Sequence, residues 1–375
     1  MPVKPHVLHV FSSAGLYGAE YVALGLMPAL RKHGIESSLL CINNPRTPVQ
    51  HLYEHARAIG LDVRTIPCSG RFDLATIRHL RAIFREQQNA IVHTHGYKGT
   101  FYASLAGRGM AIPKAVTLHG WVTQTANLEL YKWLEIRLLF GFQQICIVSE
   151  EQRAPLLRAG LDNEKIRFIQ NGIDTCRFRA DVAPLPRSEL GIPEDAFVFG
   201  SAMRLGEEKN PIGLVEAFAT LKTNALKPWL VIAGEGPLRT RIEERAEALG
   251  VASRLRLLGA RDDLEHFYPM LDCFVLPSLR EGLPLALLEA MASACPIICT
   301  SVAQVPDVVA GLDVQLIPPG DKAALEMALT RALSIRPPVR ELSERVGARY
   351  SVSRMASDYA AVYEQLASRH EPLAA

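Results

Sequence analysis

Short apolar runs alternating with amphipathic, helix-forming stretches recur along all 375 residues of the chain. In the first half, residues 6–11, 37–42, 62–66, 90–93, 114–118, 144–148 and 165–169 read as strands, with helical periodicity at 74–84 and 100–107 between them. Strand and helix in repeated alternation predict a doubly wound parallel sheet. The pattern resumes beyond residue 196, with strands at 197–201, 229–233, 254–258, 273–276 and 314–317. Helices are expected from Pro211, up to Leu249, over 285–291, and from an Asp321 cap through Leu333. A final apolar set, Met355, Tyr359, Val362, Tyr363 and Leu366, marks a C-terminal helix. Between the halves, residues 180–193 carry Pro184, Pro186 and Pro193 and little periodicity, which reads as a linker. The expected division is therefore 1–180, 181–354 and a C-terminal helical segment 355–375.

Length and a hydrophobic content of 49% suit two domains with full cores. The net charge of +2 makes no case for nucleic acid, but its distribution is uneven. Residues 1–180 hold 21 Lys and Arg against 13 Asp and Glu, while the remainder holds 20 against 26. The seven cysteines include no CxxC pair, and Cys41, Cys146, Cys273 and Cys299 fall in or beside apolar runs, as buried thiols of a reducing compartment do. No apolar run approaches the ~20 residues that span a bilayer, and the N-terminus lacks a signal-peptide pattern. A cytoplasmic protein is expected, with docking on a membrane surface left open.

In parallel sheets ligands bind beyond the carboxyl ends of strands, so the residues there are the candidates for chemistry. Glu281 follows the strand 273–276, and Glu289 lies about two turns along the next helix, roughly 11–12 Å further on. The pair reads either as two solvated carboxylates or as a site for an extended ligand. Amides around Gly282 and Leu283 would face outward at that helix start, where an anion is favoured. Arg204 and Lys209, in the loop RLGEEKN, read as a polyanion site or as ordinary surface charge. Gly15 with Gly18, and Gly234 with Gly236, form glycine turns after strands, yet neither completes a dinucleotide fingerprint. His93, His95 and His119 also fall at strand ends. The HxH pair lacks a nearby Cys, Asp or Glu to complete a zinc set, so one histidine is expected to pack on the sheet and the other to line a cleft. Arg78, Arg81 and Arg85 form a basic stripe, either a solvated face or a dock for an anionic membrane.

Taken in order, GLYGAE, HTHG, LHG, QNGID, RLGEEKN, AGEGPL and EGLPLALLEA resemble the family 4 glycosyltransferases over nearly the whole chain. The resemblance implies the GT-B fold, an α/β architecture of two Rossmann-like doubly wound domains facing across a cleft, with a C-terminal helix packing back on the first. It further implies a nucleoside-diphosphate sugar as donor, transfer of hexosyltransferase type with retention of configuration, and no metal or other cofactor. The implied partners are that donor and a saccharide or lipid-linked acceptor; cell-surface polysaccharide or lipopolysaccharide synthesis at the inner membrane face is the expected setting. By motif, Arg204 and Lys209 would hold the diphosphate, Glu281 the sugar hydroxyls and Glu289 the ribose. His119 would face the reacting sugar, and Gly15 and Gly18 would border diphosphate and acceptor. Arg261 would lie near the base, and Gly234, Gly282, Leu283 and Leu285 would complete the donor site. His95 and Tyr17 are the expected acceptor-side residues.

This chain departs from the family pattern where glycine is usual: it has Met203, Pro284, Ala294, Ala303 and Gln304. Pro284 has no N–H to offer. The competing readings are a sugar-nucleotide epimerase of similar fold and a non-catalytic nucleotide-sugar-binding protein.

Overall fold

The computed structural model describes residues 4–13, 15–16, 18–45, 49–70, 72–87, 89–119, 128–221, 227–335 and 337–369. The chain forms two compact units, Met1–Gly172 with Val352–Ala375, and Ile173–Ser351.

Seven strands build the sheet of the first unit: β1 (His6–Phe11), β2 (Glu36–Asn43), β3 (Asp62–Pro67), β4 (Ala90–His95), β5 (Lys114–Leu118), β6 (Gln144–Ile147) and β7 (Ile166–Phe168). They lie in the order β3-β2-β1-β4-β5-β6-β7, all parallel. A parallel sheet is covered on both faces, so its strands are apolar at successive positions. Leu39 and Leu40 show this, joining separate cores on the two sides of the sheet. The helix Val352–Ser368 returns to this unit against the helix Gly18–Leu30. It buries Tyr359 and Tyr363, whose hydroxyls pair with Thr117 Oγ1 at 2.8 Å and His93 Nδ1 at 2.5 Å. Burying two phenols without partners would be costly; here both are satisfied.

The second unit carries β8 (Phe197–Ala202), β9 (Pro228–Ala233), β10 (Leu255–Gly259), β11 (Cys273–Leu276), β12 (Ile297–Thr300) and β13 (Gln315–Ile317), in the order β10-β9-β8-β11-β12-β13. In both sheets the chain builds outward from one central strand, then crosses to its other side. The crossing points, β1/β4 and β8/β11, are where open parallel sheets bind ligands.

The expected linker at 180–193 is not one. Leu185 and Ile192 are buried in the core of the second unit, and Arg187 bonds the carbonyls of Ala196 and Met270 and the Asp272 carboxylate. The prolines shape a strap held by two apolar anchors and a guanidinium, so the unit begins at Ile173, whose amide bonds Tyr350 O at 2.8 Å. Six of the cysteines are buried and Cys176 is exposed. Among the described residues no helix is long and apolar enough to cross a membrane.

Candidate active site

At the β8/β11 crossing two loops meet. The carbonyl of Glu208 accepts from the amides of Leu279 and Arg280, at 2.8 and 3.3 Å, which draws the loop after β11 onto the loop after β8. Lys209 Nζ thereby reaches both carboxylate oxygens of Glu281 at 2.7 Å. Ser278 Oγ donates to Glu281 Oε1 at 2.7 Å, and Ser278 is itself fixed by Thr300, whose hydroxyl donates to its carbonyl at 2.6 Å. Arg204 is the more open cation, its side chain 46% exposed, and it pairs with Glu208 at 2.5 Å. The structure therefore gathers Arg204, Lys209 and Glu281 as expected, and adds Glu208 and Ser278. The charge pattern alone did not single out either of these.

Leu283 and Leu285 turn their side chains onto the core. Their amides and that of Gly282 have no acceptor among the described residues, where the helix Leu285–Ala292 begins. A methyl group at Gly282 would meet nothing, so the backbone there is open to a ligand. Pro284 is the N-cap residue of this helix, and its carbonyl takes the amides of Leu287 and Leu288, so its missing N–H leaves the cap intact.

Glu289 lies about one turn into that helix, with Oε2 accepting from the Tyr268 hydroxyl at 2.6 Å. Burial raises its pKa above the ordinary carboxylate value, while the Tyr268 hydrogen bond and the Arg177 charge pull it back. Arg261 is taken up by Asp263 through Nε at 2.7 Å and an NH2 contact at 2.5 Å. Gly234 is needed for packing: a Cβ there would lie 1.8 Å from the Met203 carbonyl, and its amide already bonds Gly259 O at 2.7 Å. Its turn supports the Arg204 loop through Met203 N to Ala233 O and Leu205 N to Glu235 O, both 2.9 Å.

At the β1/β4 crossing of the first unit lies a cluster of imidazoles. Register pairs His9 with His93 across β1 and β4, and His119 follows β5. His9 Nδ1 is 3.0 Å from His95 Nε2, and His95 Nδ1 is 2.9 Å from His119 Nε2. His93 is bonded at both nitrogens, by Tyr363 and by Thr117 at 2.8 Å. Burial lowers all four pKa values, to about 3 for His9 and about 4 for His119, and well below the usual range for His93 and His95. Neither member of the HxH pair lines a cleft: both are buried, and His95, expected beside the acceptor, has both nitrogens engaged and its ring stacked 4.2 Å from Phe11. His9, His93 and His95 are close enough to group around an ion. Only His9 Nε2 among their nitrogens lacks a partner, so a metal would have to break the existing network. Gly15 and Gly18 occupy the loop after β1 and the start of the helix Gly18–Leu30; Tyr17 lies outside the described residues.

On the basic stripe, Arg81 donates to the carbonyls of Ala106 and Arg108, at 2.9 and 2.8 Å, and is a clamp between elements. Arg78 and Arg85 are exposed.

Residues 17–177 match the family described as Glycosyltransferase Family 4, and residues 184–349 match Glycosyl transferases group 1. The chain is 30% identical over 311 residues to the Escherichia coli UDP-Gal:alpha-D-GlcNAc-diphosphoundecaprenol alpha-1,3-galactosyltransferase, covering 80% of each. The chain belongs to the family 4 glycosyltransferases. Solved structures place this glycosyltransferase in the GT-B fold: Anabaena HepE in complex with UDP and glucose aligns at a TM-score of 0.79, with 16% identity, over 96% of this chain and 100% of that one. Sucrose-phosphate synthase from Thermosynechococcus elongatus aligns at 0.79, with 20% identity, over 98% and 100%.

Proposed function

We propose that this glycosyltransferase moves a hexose from a nucleoside-diphosphate sugar to an acceptor hydroxyl, with retention at the anomeric carbon. The observation that carries this reading is the grouping of Arg204 and Lys209 with Glu281 beside the open amides of Gly282, Leu283 and Leu285. Breaking the bond from C1 to the diphosphate oxygen leaves positive charge on the sugar and negative charge on the departing phosphate. Two cations and a helix start answer the negative charge, and a carboxylate oriented by Ser278 answers the sugar. The acceptor oxygen attacks C1 on the face the phosphate leaves, and its proton passes to the departing phosphate oxygen. Glu289 takes the ribose. No metal or cofactor is assigned a role; the protein's own cations carry the charge. The E. coli relative is named for UDP-galactose and a diphosphoundecaprenol-linked acceptor, and the HepE structure holds UDP and glucose, which favours a UDP-sugar and a lipid-linked saccharide here. We take this pairing to support a role in cell-surface polysaccharide synthesis, with the protein docked on an anionic membrane surface.

The test is incubation with a panel of nucleotide sugars, lipid-linked saccharide acceptors and EDTA, reading released nucleoside diphosphate and the anomeric configuration of the product. Tight nucleotide-sugar binding with no turnover across the panel would refute it, as would an inverted product. Sedimentation with anionic vesicles at low salt, with and without Arg78→Ala and Arg85→Ala, tests the membrane contact.

A further inference from the structure

We propose that His9 and His95 are positioning residues that lock His119 in the Nδ1–H tautomer, so that His119 meets its ligand only as a hydrogen-bond donor. The inference rests on the proposed function, with His119 facing the reacting sugar as the family resemblance implies.

The three rings form a line: His9 Nδ1 to His95 Nε2, then His95 Nδ1 to His119 Nε2. A neutral imidazole carries one proton, so it donates from one nitrogen and accepts at the other. Two consecutive hydrogen bonds through His95 must therefore run in the same direction. The buried environment keeps every ring in the line neutral, which removes the case of a doubly protonated member. One direction ends in an N–H at His9 Nε2; the other ends there in a bare lone pair.

His9 Nε2 is buried without a partner, and this decides between them. Orphaned buried N–H groups are rarer than orphaned acceptors, so the lone pair belongs at that end. His9 then donates from Nδ1 to His95, and His95 donates from Nδ1 to His119 Nε2. The remaining proton of His119 sits on Nδ1, which has no partner among the described residues. Free histidine side chains in water prefer the opposite tautomer, so the interior imposes this state.

The consequence is chemical. The basic lone pair of His119 is consumed inside the protein, so the residue cannot act as a general base on the acceptor hydroxyl. It can donate to a sugar hydroxyl or phosphate oxygen, in keeping with the departing phosphate taking the acceptor's proton.

Long-range proton–nitrogen spectra of the full chain labelled with 15N-histidine test this directly. The expected result at pH 7 is a bare-type Nε2 and a protonated Nδ1 for His119, assigned by its loss in His119→Gln. An Nε2–H tautomer for His119 overturns the proposal. His9→Asn keeps an N–H near the Nδ1 position and should preserve the His119 tautomer and hold activity within about twofold. His9→Leu removes the donor, lets His119 sample both tautomers, and should lower sugar transfer by about fivefold, the worth of one neutral hydrogen bond. Equal losses in both variants, with an unchanged His119 tautomer, would make His9 a packing residue and overturn the idea. If the unaltered protein transfers no sugar, the functional reading fails while the spectra still decide the tautomer.

Discussion

Lys209 Nζ lies 2.7 Å from both carboxylate oxygens of Glu281, whose side chain is only 6% exposed. An ammonium has three donors, so Lys209 can hold the carboxylate and still reach a phosphate. Removing it leaves Glu281 enclosed with the Ser278 hydroxyl alone. Lys209→Met should destabilise the unit Ile173–Ser351 by about 3 kcal/mol, and adding Glu281→Gln should recover most of that loss. Turnover follows another rule: Lys209→Met, Arg204→Ala and the double variant should all fall roughly a hundredfold or more. Urea unfolding of the two single variants and the double variant measures the coupling. Simple additivity of the two stability changes would show that the residues are not paired in solution.

The buried histidines make the first unit acid-sensitive. His9 titrates at about 3 and His119 at about 4 when folded, with His93 and His95 also held low by burial, against about 6.5 when unfolded. A depressed folded pKa means stability is intact above pH ~6.5 and is lost as pH falls toward the folded values. Each neutral buried histidine then costs about 1.4 kcal/mol per pH unit. Four of them exceed an ordinary domain's reserve of about 5–15 kcal/mol within one to three pH units. Hydrogen exchange between pH 7 and 4 should show β1, β4 and β5 losing protection near pH 5, ahead of β8 and β11. Protection of β4 at pH 4 equal to that at pH 7 would mean the histidines are not held neutral.

Much of this was legible in the sequence because parallel strands announce themselves as continuous apolar runs, and the charged loops fall where such sheets bind ligands. Arg204, Lys209 and Glu281 came together as their positions implied. What the sequence hid is partnership at a distance. Residues 180–193 looked like a linker because prolines erase periodicity, although Leu185 and Ile192 anchor them. His95 looked available because a polar residue at a strand end usually is; its burial depends on His9, 86 positions away, and on Phe11 stacked against it. Nothing in the sequence pattern marked Tyr268, since one hydroxyl changes no hydrophobic periodicity.

The glycine-to-alanine departures carry a physical signature. Ala294 and Ala303 adopt φ of 53° and 45°, in the left-handed region that costs an L-residue about 1–2 kcal/mol. Ala294→Gly and Ala303→Gly remove that strain, and the added freedom of the unfolded chain offsets part of the gain. A net stabilisation of about 0.5–1 kcal/mol each is expected, or roughly 1–4 °C in melting temperature for a unit of this size. Lower melting temperatures for both variants would mean the alanine side chains make contacts worth more than the strain.

Tyr268 should control how the enzyme's donor affinity depends on pH. Its hydroxyl holds Glu289 Oε2 at 2.6 Å and leaves Oε1 for the proposed ribose contact. Burial raises the Glu289 pKa, and the tyrosine lowers it again, so Tyr268→Phe must raise it further. A protonated Glu289 loses acceptor capacity, so donor KM should climb as pH falls through that pKa, and in Tyr268→Phe the climb should begin at higher pH. At low pH the variant's KM should exceed that of the unaltered enzyme by about tenfold, the effect of one hydrogen bond to a charged group, with kcat at saturating donor little changed. Glu289→Gln should show a raised KM with this pH limb absent. Superimposable KM profiles for Tyr268→Phe and the unaltered enzyme would sever the tyrosine from donor binding and reduce its hydrogen bond to a structural contact.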